Sequence, residues 1–171
     1  RTMNLTIDAA FNVTAYKALN GHKGTVGVYN YETGEILCMV STPSFDPDNP
    51  PENLDSEEYD GAYVNRFLSA AIVPGSIFKI VTLNAALENI PDLNERTWEC
   101  DGSVTAGGTE ITCPSAHGTL DIESAFANSC NGVFGQLAAE MGGEVMQEYV
   151  DKAGLTSSLS VDGIQTAKGT F

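Results

Sequence analysis

The stretch Pro74-Gly75-Ser76-Ile77-Phe78-Lys79, followed by the apolar run Ile80-Val81-Thr82-Leu83-Asn84-Ala85-Ala86-Leu87-Glu88 and closed by Pro91, decides how the rest of the chain is read. A proline ahead of a serine, then a helix-length apolar run, predicts a helix beginning near Ser76. Ser76 and Lys79 lie three apart, so one helical turn stacks them on the same face. That spacing brings an amine to a hydroxyl that is a poor nucleophile by itself. A lysine acts as a base there only where its ammonium is destabilised, and an apolar helix buried on nearly all sides would do that. The same residues admit a plainer reading, with Ser76 as a helix cap and Lys79 on the surface, because Ser-x-x-Lys is common by chance.

The totals narrow the classes. The 171 residues suit one domain or most of one, and 42% hydrophobic with 18% charged residues are globular values. Eight Lys and Arg against 23 Asp and Glu leave a net charge of −15. Such a surface repels phosphate backbones and anionic lipid, so no nucleic-acid partner is expected. No apolar run approaches the ~20 residues that span a bilayer. Arg1-Thr2-Met3-Asn4 leads straight into a strand pattern without a signal peptide, and the chain reads as an excised piece.

Leu5-Thr6-Ile7 reads as a short strand, and Asp8 as the cap of a helix to about Leu19 with Phe11, Ala15 and Leu19 on one stripe. Thr25–Tyr29 and Glu35–Val40 make the clearest hairpin. Residues 41–60, rich in Pro, Asp, Asn and Glu, read as an irregular excursion. Two strand-like pieces flank Ala106-Gly107-Gly108. Leu120–Ala127 is helical in character, Asn128-Ser129-Cys130-Asn131 interrupts, and further helices run from Val133 to Met141 and from Glu144 to Ala153, separated by Gly142-Gly143. The tail from Thr156 carries no strong pattern.

Several stretches together resemble the transpeptidase domain of penicillin-binding proteins. Ser76-Ile77-Phe78-Lys79 matches that family's Ser-x-x-Lys and Ser129-Cys130-Asn131 its Ser-x-Asn. Glu32-Thr33-Gly34-Glu35-Ile36-Leu37, Pro43-Ser44-Phe45-Asp46-Pro47, Asn65-Arg66 and Phe134 match the surroundings, over about residues 5 to 155. The Pro-Ser-Phe-Asp-Pro segment favours the monofunctional class B enzymes. The third motif, Lys-Thr-Gly, is absent; Lys168-Gly169-Thr170 has its letters in the wrong order. The resemblance therefore implies an α+β, β-lactamase/transpeptidase-like fold, an antiparallel sheet with a helical subdomain, incomplete because its C-terminal strands are missing. Residues 1–60 would form the opening strand, helix and hairpin, 61–155 the helical part with both motifs, and 156–171 a tail.

What the resemblance implies chemically is serine acyl transfer from D-Ala-D-Ala stem peptides of peptidoglycan, with acylation by β-lactam antibiotics. Ser76 would be the nucleophile, Lys79 its base, Asn131 a holder of Lys79 and substrate, and Ser129 a proton relay. The parent protein would work at the extracytoplasmic face of the bacterial cell membrane, with its anchor outside this chain. The fragment alone is expected to be inactive, and to self-associate through the exposed edge of its hairpin sheet. No cofactor and no metal are expected. Two rival functions remain open at this point: a β-lactam sensor or serine β-lactamase, and an acidic scaffold in which Ser76 and Lys79 meet by accident.

The cysteines and single residues are read separately. Cys38 is a buried strand thiol, and Cys130 packs behind the cleft. Cys100 and Cys113, placed about Gly107-Gly108, are expected to pair as a disulfide or at least to face each other. The rival is a metal site, since Cys113-x-x-x-His117 has ligand spacing with Cys100 nearby, but no fourth ligand is evident. His22 and His117 offer no catalytic pairing. Arg66 reads as a structural ion pair, and Trp98 and Tyr149 as core or rim aromatics.

Overall fold

The computed structural model describes residues 4–171, so the reading placed on Arg1, Thr2 and Met3 lies outside the described residues. The chain forms two compact units, residues 4–71 with 158–167 and residues 72–157 with 168–171. Each is described by itself.

In the first unit, helix α1 (Ala9–Leu19) is capped by Asp8, whose carboxylate accepts from the Phe11 N–H at 2.9 Å. It lies on the antiparallel pair β1 (Gly24–Tyr29) and β2 (Ile36–Thr42). Leu5–Ile7 is not a strand. Thr6 Oγ1 donates to the Ile36 carbonyl and the Asp8 N–H to that of Leu37, which is one backbone bond and no ladder. Phe11 departs from the expected stripe as well, with half of its surface exposed, while Ala15 is buried. Polar Asn12 faces the strands instead, its Oδ1 accepting from the Met39 N–H at 3.2 Å. The outer edge of β2 is thus covered by the N-terminal segment and α1.

The excursion that follows holds only a 3-10 turn (Glu57–Tyr59), and Phe45 anchors it edge-on against Tyr63, centroids 5.2 Å apart. Short helix α2 (Arg66–Ser69) closes it. Among the described residues Arg66 forms no ion pair: its Nε donates to the Thr42 carbonyl at 2.9 Å and its Nη2 to that of Asp60 at 3.2 Å. A guanidinium has five donors in a fixed fork, and these hold the loop to the end of β2. Gly27 makes room for Phe67, because a Cβ there would lie 2.0 Å from the ring.

The second unit pairs helix α3 (Lys79–Asn89) with a group of short strands and long helix α5. Strands β3 (Trp98–Cys100), β4 (Ser103–Ala106), β5 (Thr109–Thr112) and β6 (Gly118–Leu120) form nested antiparallel pairs, β4 with β5 inside β3 with β6. Helix α4 (Ile122–Ala127), capped by Asp121, leads through a tight turn into α5 (Asn131–Lys152). At Gly142, with φ 80° and ψ 167°, α5 breaks into the two helices expected from Gly142-Gly143. Leu93, Leu120, Val133, Phe134 and Leu137 fill the core between α3, α4, α5 and the strands. Gly135 lets the β4–β5 pair approach α5, where a Cβ would stand 2.1 Å from Ile111 Cδ1.

The tail carries one element that its polar composition does not announce. Strands β7 (Ser160–Val161) and β8 (Ile164–Gln165), in the first unit, join through Asp162 and Gly163, both at positive φ, as a two-residue hairpin turn demands. Among the described residues, no helix is long and apolar enough to cross a membrane.

Candidate active site

Pro74 and Gly75 turn the chain into a single 3-10 turn, Gly75–Phe78, before α3 starts at Lys79. Gly75 sits at φ 59°, a conformation costly for residues with a Cβ. Ser76 is therefore near, rather than inside, the α-helix, and no cap hydrogen bond occupies its side chain. Its hydroxyl is exposed and meets Lys79 Nζ at 3.1 Å. The helix is less buried than expected. Lys79, Thr82, Ala85 and Ala86 are inside, while Ile80 and Leu87 keep about half of their surfaces exposed, because α3 packs one face only, against α5.

Lys79 itself is 8% exposed, which excludes the surface-lysine reading. Besides Ser76 Oγ, its Nζ reaches the Ser129 carbonyl at 2.7 Å, Ser129 Oγ at 2.8 Å and Asn131 Oδ1 at 2.7 Å. An ammonium has three protons to donate, and a neutral amine two protons and one lone pair, so either form serves three of these four oxygens. A neutral amine fits differently. It donates to the two groups that only accept, the Ser129 carbonyl and Asn131 Oδ1, and takes a proton from a hydroxyl through its lone pair. Asn131 is oriented for this because its Nδ2 donates to the Thr112 carbonyl at 2.9 Å. Burial holds Lys79 below the ordinary amine range, against a weaker upward push from the Cys113 and Cys130 thiols.

The second motif stands on a helix C-terminus. The Ser129 N–H bonds to the Phe126 carbonyl and the Cys130 N–H to that of Ala125, which is the Schellman pattern ending α4. Glycine is the usual residue at its left-handed position. Here Ser129 occupies it at φ 51°, at a cost of about 1–2 kcal/mol. The conformation points the Ser129 hydroxyl and carbonyl together at Lys79. The four residues predicted from the two motifs, Ser76, Lys79, Ser129 and Asn131, are thus brought to one place.

The cysteines meet expectation in part. Cys100 and Cys113 face each other with sulfurs 3.7 Å apart, but both are free thiols, since a disulfide needs about 2.0 Å. Nor are Cys100, Cys113 and His117 without a fourth partner: Cys130 joins them, all ligand atoms lying within 4.8 Å of one another. The Cys113–His117 spacing was visible in the sequence. Cys130 was hidden inside the second motif, where its neighbours drew the reading. The Gly102 N–H, helped by the His117 N–H and ring and by the Cys130 thiol and opposed by burial, lowers the Cys100 thiol to about 6, while burial pushes Cys130 up to about 11.

With this geometry in view, the likeness to known proteins has a structural basis. The family described as penicillin binding protein transpeptidase domain matches residues 24–171. The probable peptidoglycan D,D-transpeptidase PenA of Neisseria gonorrhoeae is 31% identical over 159 residues, 88% of this chain and 26% of that protein. Stage V sporulation protein D of Bacillus subtilis is 30% identical over 172 residues, 94% of this chain and 26% of that protein. Among solved structures, the D,D-transpeptidase domain of a peptidoglycan glycosyltransferase from Eggerthella lenta superposes with a TM-score of 0.81 at 28% identity, over 96% of this chain and 40% of its own. A penicillin G acyl-enzyme complex of penicillin-binding protein A from Mycobacterium tuberculosis gives 0.81 at 25% identity, over 96% and 43%. The fold is the α+β fold of penicillin-binding protein transpeptidase domains. The chain belongs to the penicillin binding protein transpeptidase domain family. It spans about a quarter of the length of the curated relatives it matches.

Proposed function

We propose that this chain carries the nucleophile and base of a serine D,D-transpeptidase that cross-links peptidoglycan and is acylated by β-lactams. The observation that supports it is Lys79 Nζ, buried and 3.1 Å from Ser76 Oγ, with its remaining partners supplied by Ser129 and Asn131. Neutral Lys79 accepts the Ser76 proton as Oγ attacks the carbonyl of a D-alanyl-D-alanine bond. Ser129 passes a proton to the leaving nitrogen, D-alanine departs, and an amine of a second stem peptide takes the acyl group from Ser76. The Ser76 N–H, in the first turn and without an intrahelical partner, serves as one oxyanion donor.

The stem peptides place the working protein at the outer side of the bacterial cell membrane. These 171 residues hold no Lys-Thr-Gly. Taken by themselves they offer one wall of a cleft and one oxyanion donor, and losing a donor costs about 10²–10³ in rate. The chain alone is therefore a feeble acyl acceptor. The open edge of β1, with Val28 and Tyr29 exposed, favours pairing with a second copy.

The test joins this chain to the rest of a transpeptidase domain and follows D-alanine released from a stem peptide ending in D-Ala-D-Ala, with an acceptor amine present. Release that vanishes in Ser76→Ala supports the proposal. Undiminished release in that variant contradicts it.

A further inference from the structure

Behind the Ser129 turn, four side chains from four separate places aim at one point. Cys100 ends β3, Cys113 follows β5, His117 precedes β6 and Cys130 opens α5. Cys100 and Cys130 are buried, and Cys113 and His117 are half-buried, which leaves a way in from solvent. The sulfurs of Cys100 and Cys113 are 3.7 Å apart, as are those of Cys113 and Cys130, and Cys100 Sγ is 3.4 Å from His117 Nδ1.

These separations can be compared with a tetrahedral ion. Sulfurs about 2.3 Å from zinc lie about 3.8 Å from each other, and a sulfur and an imidazole nitrogen about 3.5 Å. These two thiol pairs and this sulfur–nitrogen pair match both values, and all four ligand atoms lie within 4.8 Å of one another. Packing alone accounts for a buried thiol, which behaves as a small apolar group. It does not account for an imidazole and three sulfurs converging at coordination spacing. Thiolate-rich tetrahedral sets favour zinc over hard cations such as magnesium or calcium.

We propose that Cys100, Cys113, His117 and Cys130 bind one zinc ion as a closed structural site. The three thiols release their protons to solvent as the ion enters, His117 binds as the neutral imidazole, and nothing is oxidised or reduced. Three thiolates leave the site with one excess negative charge. The Gly132 N–H, 3.4 Å from Cys113 Sγ, offsets part of it. Four protein ligands leave no position for water, so the ion holds structure and does not activate a nucleophile. What it holds is specific: the β3–β6 and β4–β5 pairs are fastened to Cys130, which stands between Ser129 and Asn131. The proposal rests on the cluster and not on acyl transfer.

The experiment uses the whole chain, purified under reducing conditions, with metal content measured and zinc then replaced by cobalt(II). One equivalent of zinc per chain is expected, and the cobalt form should show intense tetrahedral d–d bands with sulfur-to-cobalt charge transfer. Cys113→Ser should weaken the charge transfer, and Cys38→Ser, a thiol outside the cluster, should leave it unchanged. Should Cys113→Ser fail to fold, removal of zinc from the unaltered chain supplies the second readout, and the melting temperature should fall and recover on zinc addition. A chain that holds no zinc after incubation and dialysis overturns the proposal. So does an octahedral cobalt spectrum, or a Cys100–Cys113 disulfide whose reduced form takes up no metal.

Discussion

Two clusters meet back to back on the turn from Ser129 to Asn131, and they solve opposite problems. On one side Lys79, a single nitrogen, is offered four oxygens, more than an ammonium can use. On the other, three sulfurs and an imidazole are gathered around no protein cation. In the first, burial is what favours the neutral base. The second has a surplus of electron pairs that favours a metal. Both depend on one strained turn, with Ser129 at φ 51°. The contrast suggests that the turn is held from behind so that it can present two side chains in front.

The largest effect should come from breaking the front cluster. In a protein joining this chain to a complete transpeptidase domain, Lys79→Met should lower the penicillin acylation rate by about 10²–10⁴, the usual worth of a positioned base. The pH profile sharpens this. Because burial lowers the Lys79 value, acylation should rise with pH through that lowered value and level off below the pH expected for an ordinary lysine amine. The same sign applies to stability. The unfolded chain binds the extra proton between the lowered value and 10.5, so Lys79 contributes stability present above that window and lost as pH falls through it. A rate independent of pH in Lys79→Met, beside a sloping profile for the unaltered protein, is the expected pair of curves.

Breaking the rear cluster should act next. Removing zinc from the same protein should slow acylation by about 10-fold, as supporting shells of this kind commonly do. Stopped-flow acylation before and after zinc is restored checks it, and an unchanged rate would separate the two clusters. Smaller is the packing that brings the strands to α5. Gly135→Ala must displace Ile111 and should cost about 1–3 kcal/mol in urea unfolding. Smallest is the turn itself. Ser129→Ala keeps the left-handed strain and loses the hydroxyl, whereas Ser129→Gly loses the hydroxyl and relieves the strain. The glycine variant should therefore be the more stable by about 1 kcal/mol. Equal stabilities would mean that the strain is absent.

The sequence was legible where chemistry is encoded at short range. Ser76 and Lys79 could be placed together because one turn fixes their distance, and Asp8 and Gly142 marked helix limits by local backbone demands. The convergence of Ser129 and Asn131 was legible only through a motif shared with a family, since no local rule brings residue 129 to residue 79. Cys130 shows the limit more sharply. Its partnership depends on where β3, β5 and β6 end in space, and its position within a motif suggested a different role. Asp162-Gly163 carries a hairpin signal that the polar surroundings obscure, and the Arg66 charge points to an acidic partner in sequence whereas backbone carbonyls lie nearer in space. Phe11 shows that a periodic stripe does not decide which of its members finds a neighbour.

The most direct measurement is the site and speed of penicilloylation. Benzylpenicillin is added to the chain joined to a complete transpeptidase domain, and the products are followed by intact mass and peptide mapping. A single adduct on Ser76, absent in Ser76→Ala and slowed in Lys79→Met, is the result this account predicts. An adduct on any other residue, or labelling at Ser76 that proceeds at an unchanged rate in Lys79→Met, would contradict it.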